Sequence, residues 1–144
     1  MARLTFVGGI HPYDGKDLSK DKPIKEVLPK GDLVYPLSQH IGAPAKAIVK
    51  KGDRVLVGQK IAEAGGFVSA PVYATVSGKV KAVEPRRVVT GDLVMSVVVE
   101  NDKLYEEADR PEPAPFEELT REDKINLIRE AGIVGRGGAG FPTA

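Results

Sequence analysis

The chain has 144 residues, room for one domain or for one small domain with flanking pieces. Its 21 lysines and arginines nearly cancel 20 aspartates and glutamates, leaving a net charge of +1 and no basis for a polyelectrolyte partner such as DNA. There is no cysteine, which excludes disulfides, thiolate zinc sites, iron–sulfur clusters and a cysteine nucleophile from this segment, and no apolar run of about 18 residues able to span a membrane as a helix.

At the N-terminus, Leu4 to Val7 is the only apolar stretch, too short for a secretory signal, so a cytoplasmic location is expected. Asp14 to Lys22 holds six charged residues and predicts a surface loop. Val27-Leu28-Pro29 and Val34-Tyr35-Pro36-Leu37 are short apolar runs broken by proline, hence edge strands or extended segments. From Ile48 to Val99 the pattern is β. Short β-branched runs (Ile48-Val49, Arg54 to Val57, Lys60 to Ala62, Val72 to Val76, Lys79 to Val83, Leu93 to Val99) alternate with Gly52-Asp53, Gly58-Gln59, Ser77-Gly78 and Gly91-Asp92 turns. Thr90-Gly91-Asp92 has the composition of a hairpin tip. Val80 and Val83 flank Lys81 and Ala82 without clean alternation. The pattern Val-x-x-Gly-Asp-x-Val occurs at Val49 to Val55 and again at Val88 to Val94, pointing to a small pseudo-symmetric β-sandwich.

Charge and composition change together near residue 101. Residues 1–100 carry 15 basic and 10 acidic side chains, net +5, whereas residues 101–130 carry 5 basic and 10 acidic, net −5. Glu100-Asn101-Asp102 reads as a solvated strand exit, and Arg110-Pro-Glu-Pro-Ala-Pro115 as an extended linker. The expected division is a β module over residues 1–101, an acidic proline-rich linker over 102–119 carrying few contacts, and a further unit from 120 to 144. Thr120-Arg-Glu-Asp123 is a capping-box start with Asp in the usual Glu position, Lys124 to Ala131 follows, and together they predict a short helix of about three turns stopped by Gly132. Gly135-Arg136-Gly137-Gly138-Ala139-Gly140-Phe141 follows.

The run from Val49 through Gly52-Asp53, Gly58-Gln59, Ser69-Ala-Pro71 and Ser77-Gly78 resembles the biotinyl/lipoyl-carrier fold, a flattened barrel of two short sheets. Such carriers present one acylated lysine at a hairpin tip. The corresponding interval, Glu63 to Ala74, contains no lysine. The fold is expected and the carrier function is not.

By itself, the glycine-rich loop reads more readily as a flexible tail than as a site. Four glycines in six positions nevertheless let a flat or phosphorylated ligand approach the backbone, and exposed amides bind anions. The loop is neither a Gly-Lys-Ser/Thr phosphate loop nor a dinucleotide fingerprint between strand and helix. His11 and His40, with no acidic residue at ligand spacing, read as packing or locally bonded residues rather than metal ligands. Ser38 and His40 lack an acidic orienter, which leaves a hydrolase reading unsupported. Lys50-Lys51, Arg86-Arg87 and Glu117-Glu118 read as solvated charges, and no catalytic residue is assigned.

Several stretches together resemble the N-terminal part of the C subunit family of the Rnf electron-transport complex. They are Gly9-Ile-His11-Pro12, Pro36-Leu-Ser-Gln-His40-Ile-Gly-Ala-Pro-Ala45, Gly52-Asp53 to Gly58-Gln59, Gly66-Phe-Val-Ser-Ala-Pro71 and Gly132-Ile-Val-Gly-Arg-Gly-Gly-Ala-Gly-Phe-Pro-Thr143. An electron-transfer protein of clostridial proline reductase is also similar. The glycine-rich end resembles the 51-kDa flavin subunit of respiratory complex I.

The resemblance implies a mainly β barrel-sandwich hybrid module, then a linker, then the first short helix of a truncated α/β flavin/NADH domain. It also implies that the chain is a fragment of a longer subunit. The parent would carry FMN and two cysteine-bound 4Fe–4S clusters, use NADH and ferredoxin, and sit peripherally on the cytoplasmic face of the membrane beside the other subunits of the complex. The fragment would hold no cofactor and act as a docking module, with its loop mobile. Gly135, Arg136, Gly137, Gly138, Ala139, Gly140 and Phe141 match the flavin loop and are the expected cofactor-binding residues.

Overall fold

The computed structural model describes residues 12–110, 114–135 and 137–144. His11, Arg136 and the centre of the Arg110 to Pro115 stretch lie outside them. Among the described residues, seven strands pair in two antiparallel sheets. Strands β1 (Leu33–Pro36), β7 (Leu93–Asn101), β6 (Gly78–Arg87) and β3 (Arg54–Val55) form one sheet in the order β1-β7-β6-β3. Strands β2 (Lys46–Ala47), β4 (Lys60–Glu63) and β5 (Val72–Tyr73) form the other in the order β2-β4-β5. This is the expected mainly β barrel-sandwich hybrid. One α-helix among these residues, α1 (Arg121–Glu130), follows.

β6 and β7 are the spine, paired from Gly78↔Asn101 to Arg87↔Leu93. Their valines explain the length: β-branched side chains fit a pleated surface buried on one or both faces. Val97 and Val99 point into the core, and Val98, on the opposite face of this central strand between β1 and β6, is buried as well. β1 lies at the sheet edge, where Pro36 costs no ladder bond that an inner strand would need. Val80, Val97 and Val99 meet Ile61, Val55, Val72, Val76 and Tyr35 in one core.

The broken alternation at Lys81 has a structural cause. Val80 pairs with Val99 and Ala82 with Val98, so Lys81 is the extra residue of a β-bulge. The bulge keeps Val80 in the core and turns Lys81 out to Asp32 (2.7 Å), whose carboxylate raises the lysine's pKa. The two Val-x-x-Gly-Asp-x-Val copies share a positive-φ glycine, Gly52 and Gly91. Their settings differ. The first is a turn whose Gly52 N–H donates to Val80 O, and the second is the tip of the β6–β7 hairpin.

Several elements depart from the local pattern. The strand expected at Ile48-Val49 is β2, two residues earlier, and pairing after Val72 stops at Tyr73. Residues 27–29 form no strand. The carbonyl of Pro29 instead accepts hydrogen bonds from Asn101 and Tyr105. The end of β7 is not a solvated exit, since Asn101 is buried and its Oδ1 accepts from Lys103 N–H. Residues 102–108 run along the barrel, with Val57 N–H donating to Glu106 O and Ala108 N–H to Val57 O.

Ser77 is the centre of that junction. Its side chain has no exposed surface, its hydroxyl donates to Asp102 Oδ1 (2.6 Å), and it accepts from Glu106 N–H (3.0 Å). The Ser77 hydroxyl and the Leu104 N–H hold the Asp102 carboxyl below the usual carboxylate range. Arg54 adds ion pairs to Asp102 and Glu106. At α1 the capping box is complete with aspartate: Asp123 N–H donates to Thr120 Oγ1, and Thr120 N–H to Asp123 Oδ2. An Asp at that position also sits favourably in the first turn of the helix dipole.

Ser77→Ala strands the Glu106 N–H and removes the donor to Asp102. It is expected to cost about 1–3 kcal/mol in urea unfolding at pH 7. Because the folded pKa of Asp102 is depressed, its contribution is present above the ordinary carboxylate value near 4 and is lost as pH falls through the folded value. The gap between wild type and variant should therefore narrow in acid. A gap independent of pH would show that Asp102 is not part of the pin.

Candidate functional site

In a carrier domain of this architecture the acylated lysine sits on the hairpin joining two short strands. Here the corresponding segment is residues 64–71, between β4 and β5. It carries Phe67, 94% exposed, and no lysine. The segment is stitched to residues 40–43 rather than free. Gly65 N–H donates to Ser69 Oγ, Ser69 Oγ–H to Ala43 O, and Ala43 N–H to Val68 O.

His40 belongs to the same seam. Its Nε2 accepts from Ala70 N–H (3.1 Å), which places the ring proton on Nδ1, facing Ile41 O at 3.0 Å. Both ring nitrogens are thus committed to backbone, as the locally bonded reading requires, and neither is left for Ser38. Among the described residues no three His, Asp or Glu side chains gather at metal-ligand distance.

The glycine-rich segment folds on itself. After α1, Gly132 takes φ 66° as the helix stop. Val134 and Pro142 then form an antiparallel bridge, closed by Gly135 N–H to Phe141 O (2.8 Å) and Thr143 N–H to Ile133 O (3.0 Å). Gly137, Gly138 and Ala139 make the turn at its tip. Among the described residues and beyond their chain neighbours, a Cβ at Gly137 or Gly138 would meet no atom within 4 Å. Phe141 is 59% exposed.

The loop overhangs a cleft of about 940 Å³. The barrel forms the floor with Tyr35, Pro71, Tyr73 and Thr75, and Val89 and Thr90 of the β6–β7 tip form the far rim.

Local sequence did not reveal one polar group at this site. Lys60, Tyr73 and Glu130 meet between the second sheet and the end of α1. The Glu130 hydrogen bond raises the pKa of Lys60, and burial raises that of Tyr73. Nothing in the sequence near any of the three marks them, because they come from separate elements.

The fold is that of a barrel-sandwich hybrid whose β4–β5 hairpin carries no lysine and which leads into a glycine loop. The chain belongs to the RnfC barrel sandwich hybrid domain family, whose model matches residues 4–104. Its relatives include the C subunit of the Na(+)-translocating ferredoxin:NAD(+) oxidoreductase complex of Acetobacterium woodii, 46% identical over 96% of this chain. The C subunit of the ion-translocating oxidoreductase complex of Vibrio cholerae is 44% identical, and that of the proton-translocating ferredoxin:NAD(+) oxidoreductase complex of Clostridium ljungdahlii 43%, each over 96% of this chain. The chain spans 32%, 18% and 30% of the length of these three relatives.

Expressed together with a biotin or lipoate ligase, the protein is expected to keep the intact mass of its sequence, with or without Met1. An added biotinyl or lipoyl mass would overturn the reading of residues 64–71 as a non-acylated loop.

Proposed function

We propose that this chain is the N-terminal part of the peripheral, NADH-side subunit of an ion-translocating ferredoxin:NAD oxidoreductase. The observation that carries the reading is that 43–46% identity to the C subunits of such complexes extends over 96% of the chain, far beyond the barrel alone. In this reading residues 1–101 are the barrel module, residues 102–119 the connection, and residues 120–144 the opening of a flavin/NADH domain. The module docks the redox domains against the other subunits of the complex and by itself transfers no electrons.

The parent protein holds FMN and two 4Fe–4S clusters in this reading. The absence of cysteine here puts all cluster ligands elsewhere in that protein. Bound flavin takes up electrons in pairs and releases them singly, which is the chemistry needed between NADH and an iron–sulfur chain. The loop from Gly135 to Phe141, with Arg136, fits one side of a flavin site. The open backbone at Gly137 and Gly138 admits a flat ring, and amides free of side chains supply hydrogen bonds to a charged or polarised ligand edge. The location follows from the assembly: peripheral, on the cytoplasmic face of the membrane. No helix among the described residues is long and apolar enough to cross a membrane.

Flavin mononucleotide is expected to bind the full-length subunit tightly and the 144-residue chain weakly or not at all, since the chain holds only one side of the pocket. A Cβ at Gly138 meets no atom of the described residues within 4 Å beyond its chain neighbours, so the effect of Gly138→Val is expected on the ligand. Fluorescence titration should show loss of flavin binding in the full-length Val variant. Unchanged binding there would refute the loop assignment, and tight binding by the 144-residue chain would refute the one-sided pocket.

A further inference from the structure

We propose that the barrel sets the position of the glycine-rich loop through two contacts: Lys60 and Tyr73 grip the end of α1, and Gln39 and His40 seat Gly140. Lys60 and Tyr73 are cross-strand partners on β4 and β5. Both reach one residue. Lys60 Nζ binds the Glu130 carboxylate, and the Tyr73 hydroxyl donates to the Glu130 backbone carbonyl. That carbonyl is among the last four of α1, which have no partner inside the helix. Ala131 N–H and Gly132 N–H close on Leu127 O and Arg129 O, and the barrel satisfies the Glu130 carbonyl through the Tyr73 hydroxyl. The raised pKa of Lys60, caused first by its hydrogen bond to Glu130, agrees with a formed contact.

The second contact is steric. Gly140 has φ 69°, and a Cβ there would lie 3.2 Å from Gln39 O and 3.3 Å from His40 Cα. Gly132, just past the gripped helix end, has φ 66°, and its Cβ would lie 3.1 Å from Pro71 O. A side chain at either position is strained in its own backbone and pushes the loop off the barrel. The surface beneath Gly140 is itself fixed, because His40 is bonded to Ala70 across the seam.

The glycines thus divide by role. Gly132 and Gly140 are positioning residues turned to the barrel, and Gly137 and Gly138 face open space. The barrel registers the loop so that Gly138 of its open pair lines the cleft. That the ligand presented there is flavin rests on the function proposed above; the seating does not.

The test has two arms. In the first, amide hydrogen exchange is followed by NMR on the 144-residue chain as wild type, Tyr73→Phe and Gly140→Ala. The Gly135 and Thr143 amides report loop closure, and the Val57 and Val80 amides report the barrel. Exchange at Gly135 and Thr143 is expected to rise roughly two- to tenfold in Tyr73→Phe, the effect of one lost hydrogen bond, and at least as much in Gly140→Ala. Val57 and Val80 should not change. Failure of either variant to raise the loop rates, or an equal rise at Val57 and Val80, overturns the seat.

In the second arm, flavin mononucleotide is titrated into the full-length subunit with Tyr73→Phe or Gly138→Val. Weaker binding in Tyr73→Phe supports positioning, whereas unchanged affinity alongside faster loop exchange overturns it. Normal binding in Gly138→Val sinks the flavin reading alone, and the exchange arm then decides the seat by itself.

Discussion

The hydroxyl of Ser77 joins three separate stretches of chain: the start of β6, the end of β7 at Asp102, and the returning segment at Glu106. A small barrel built of very short strands depends on such pins. β2, β3 and β5 have two residues each, so their ladders supply few backbone bonds. Isolated pairs of that length do not hold in water. Side chains complete what the ladders leave open. Tyr35 OH accepts from Thr75 N–H, Ser69 links Gly65 to Ala43, and His40 links residues 39–41 to Ala70. Among the described residues no buried side-chain nitrogen or oxygen lacks a partner. In a barrel with a low-dielectric core this completeness matters more than the number of bonds, because an unsatisfied buried group costs more than a typical satisfied one contributes.

What the sequence made legible was local. Proline in the Val34 run placed β1 at a sheet edge, the Thr90-Gly91-Asp92 turn placed the β6–β7 tip, and Thr120 with Asp123 placed the start of α1 to the residue. In each case the signal and the structure it specifies lie within a few residues of one another. The missing lysine was legible too, since a single residue type decides whether an amide-linked arm has anywhere to attach. Broken alternation at Lys81 was visible, but its cause was not. A bulge is defined by the partner strand, and Val98 and Val99 are far away in sequence. Asn101 looked solvated because its neighbours Glu100 and Asp102 are charged. It is buried because Pro29, some seventy residues earlier, offers a carbonyl (|i−j| = 72).

The candidate site divides the same way. Gly135 to Phe141 stand out by composition, and the structure shows that segment closed as a small hairpin. The groups that meet it from the barrel, Tyr73 and Gln39–His40, lie 57 and about a hundred residues from their contacts at Glu130 and Gly140 and carry no local mark. Two glycines of equal appearance in sequence, Gly138 and Gly140, differ in conformation and surroundings: Gly140 has φ 69° and sits under the backbone of Gln39 and His40, whereas a Cβ at Gly138 meets no described atom within 4 Å beyond its chain neighbours.

The uneven charge of the chain acquires a structural meaning in this setting. A net +5 over residues 1–100 and −5 over residues 101–130 marks, in sequence, only a boundary. The structure places part of each charge against the other. Arg54 on β3 meets Asp102 and Glu106, and Lys60 on β4 meets Glu130. The first set lays the returning segment along the barrel, and the second brings α1 to it. Exposed pairs of this kind contribute little stability individually, with a median of about 0–1 kcal/mol. Their value lies in direction. Opposite charge on the two halves favours the one arrangement in which the acidic segment folds back on the basic barrel, and that arrangement carries the glycine-rich loop to the edge of the cleft. Part of the charge on each half is therefore used within the chain, to orient the loop that the barrel then holds by shape.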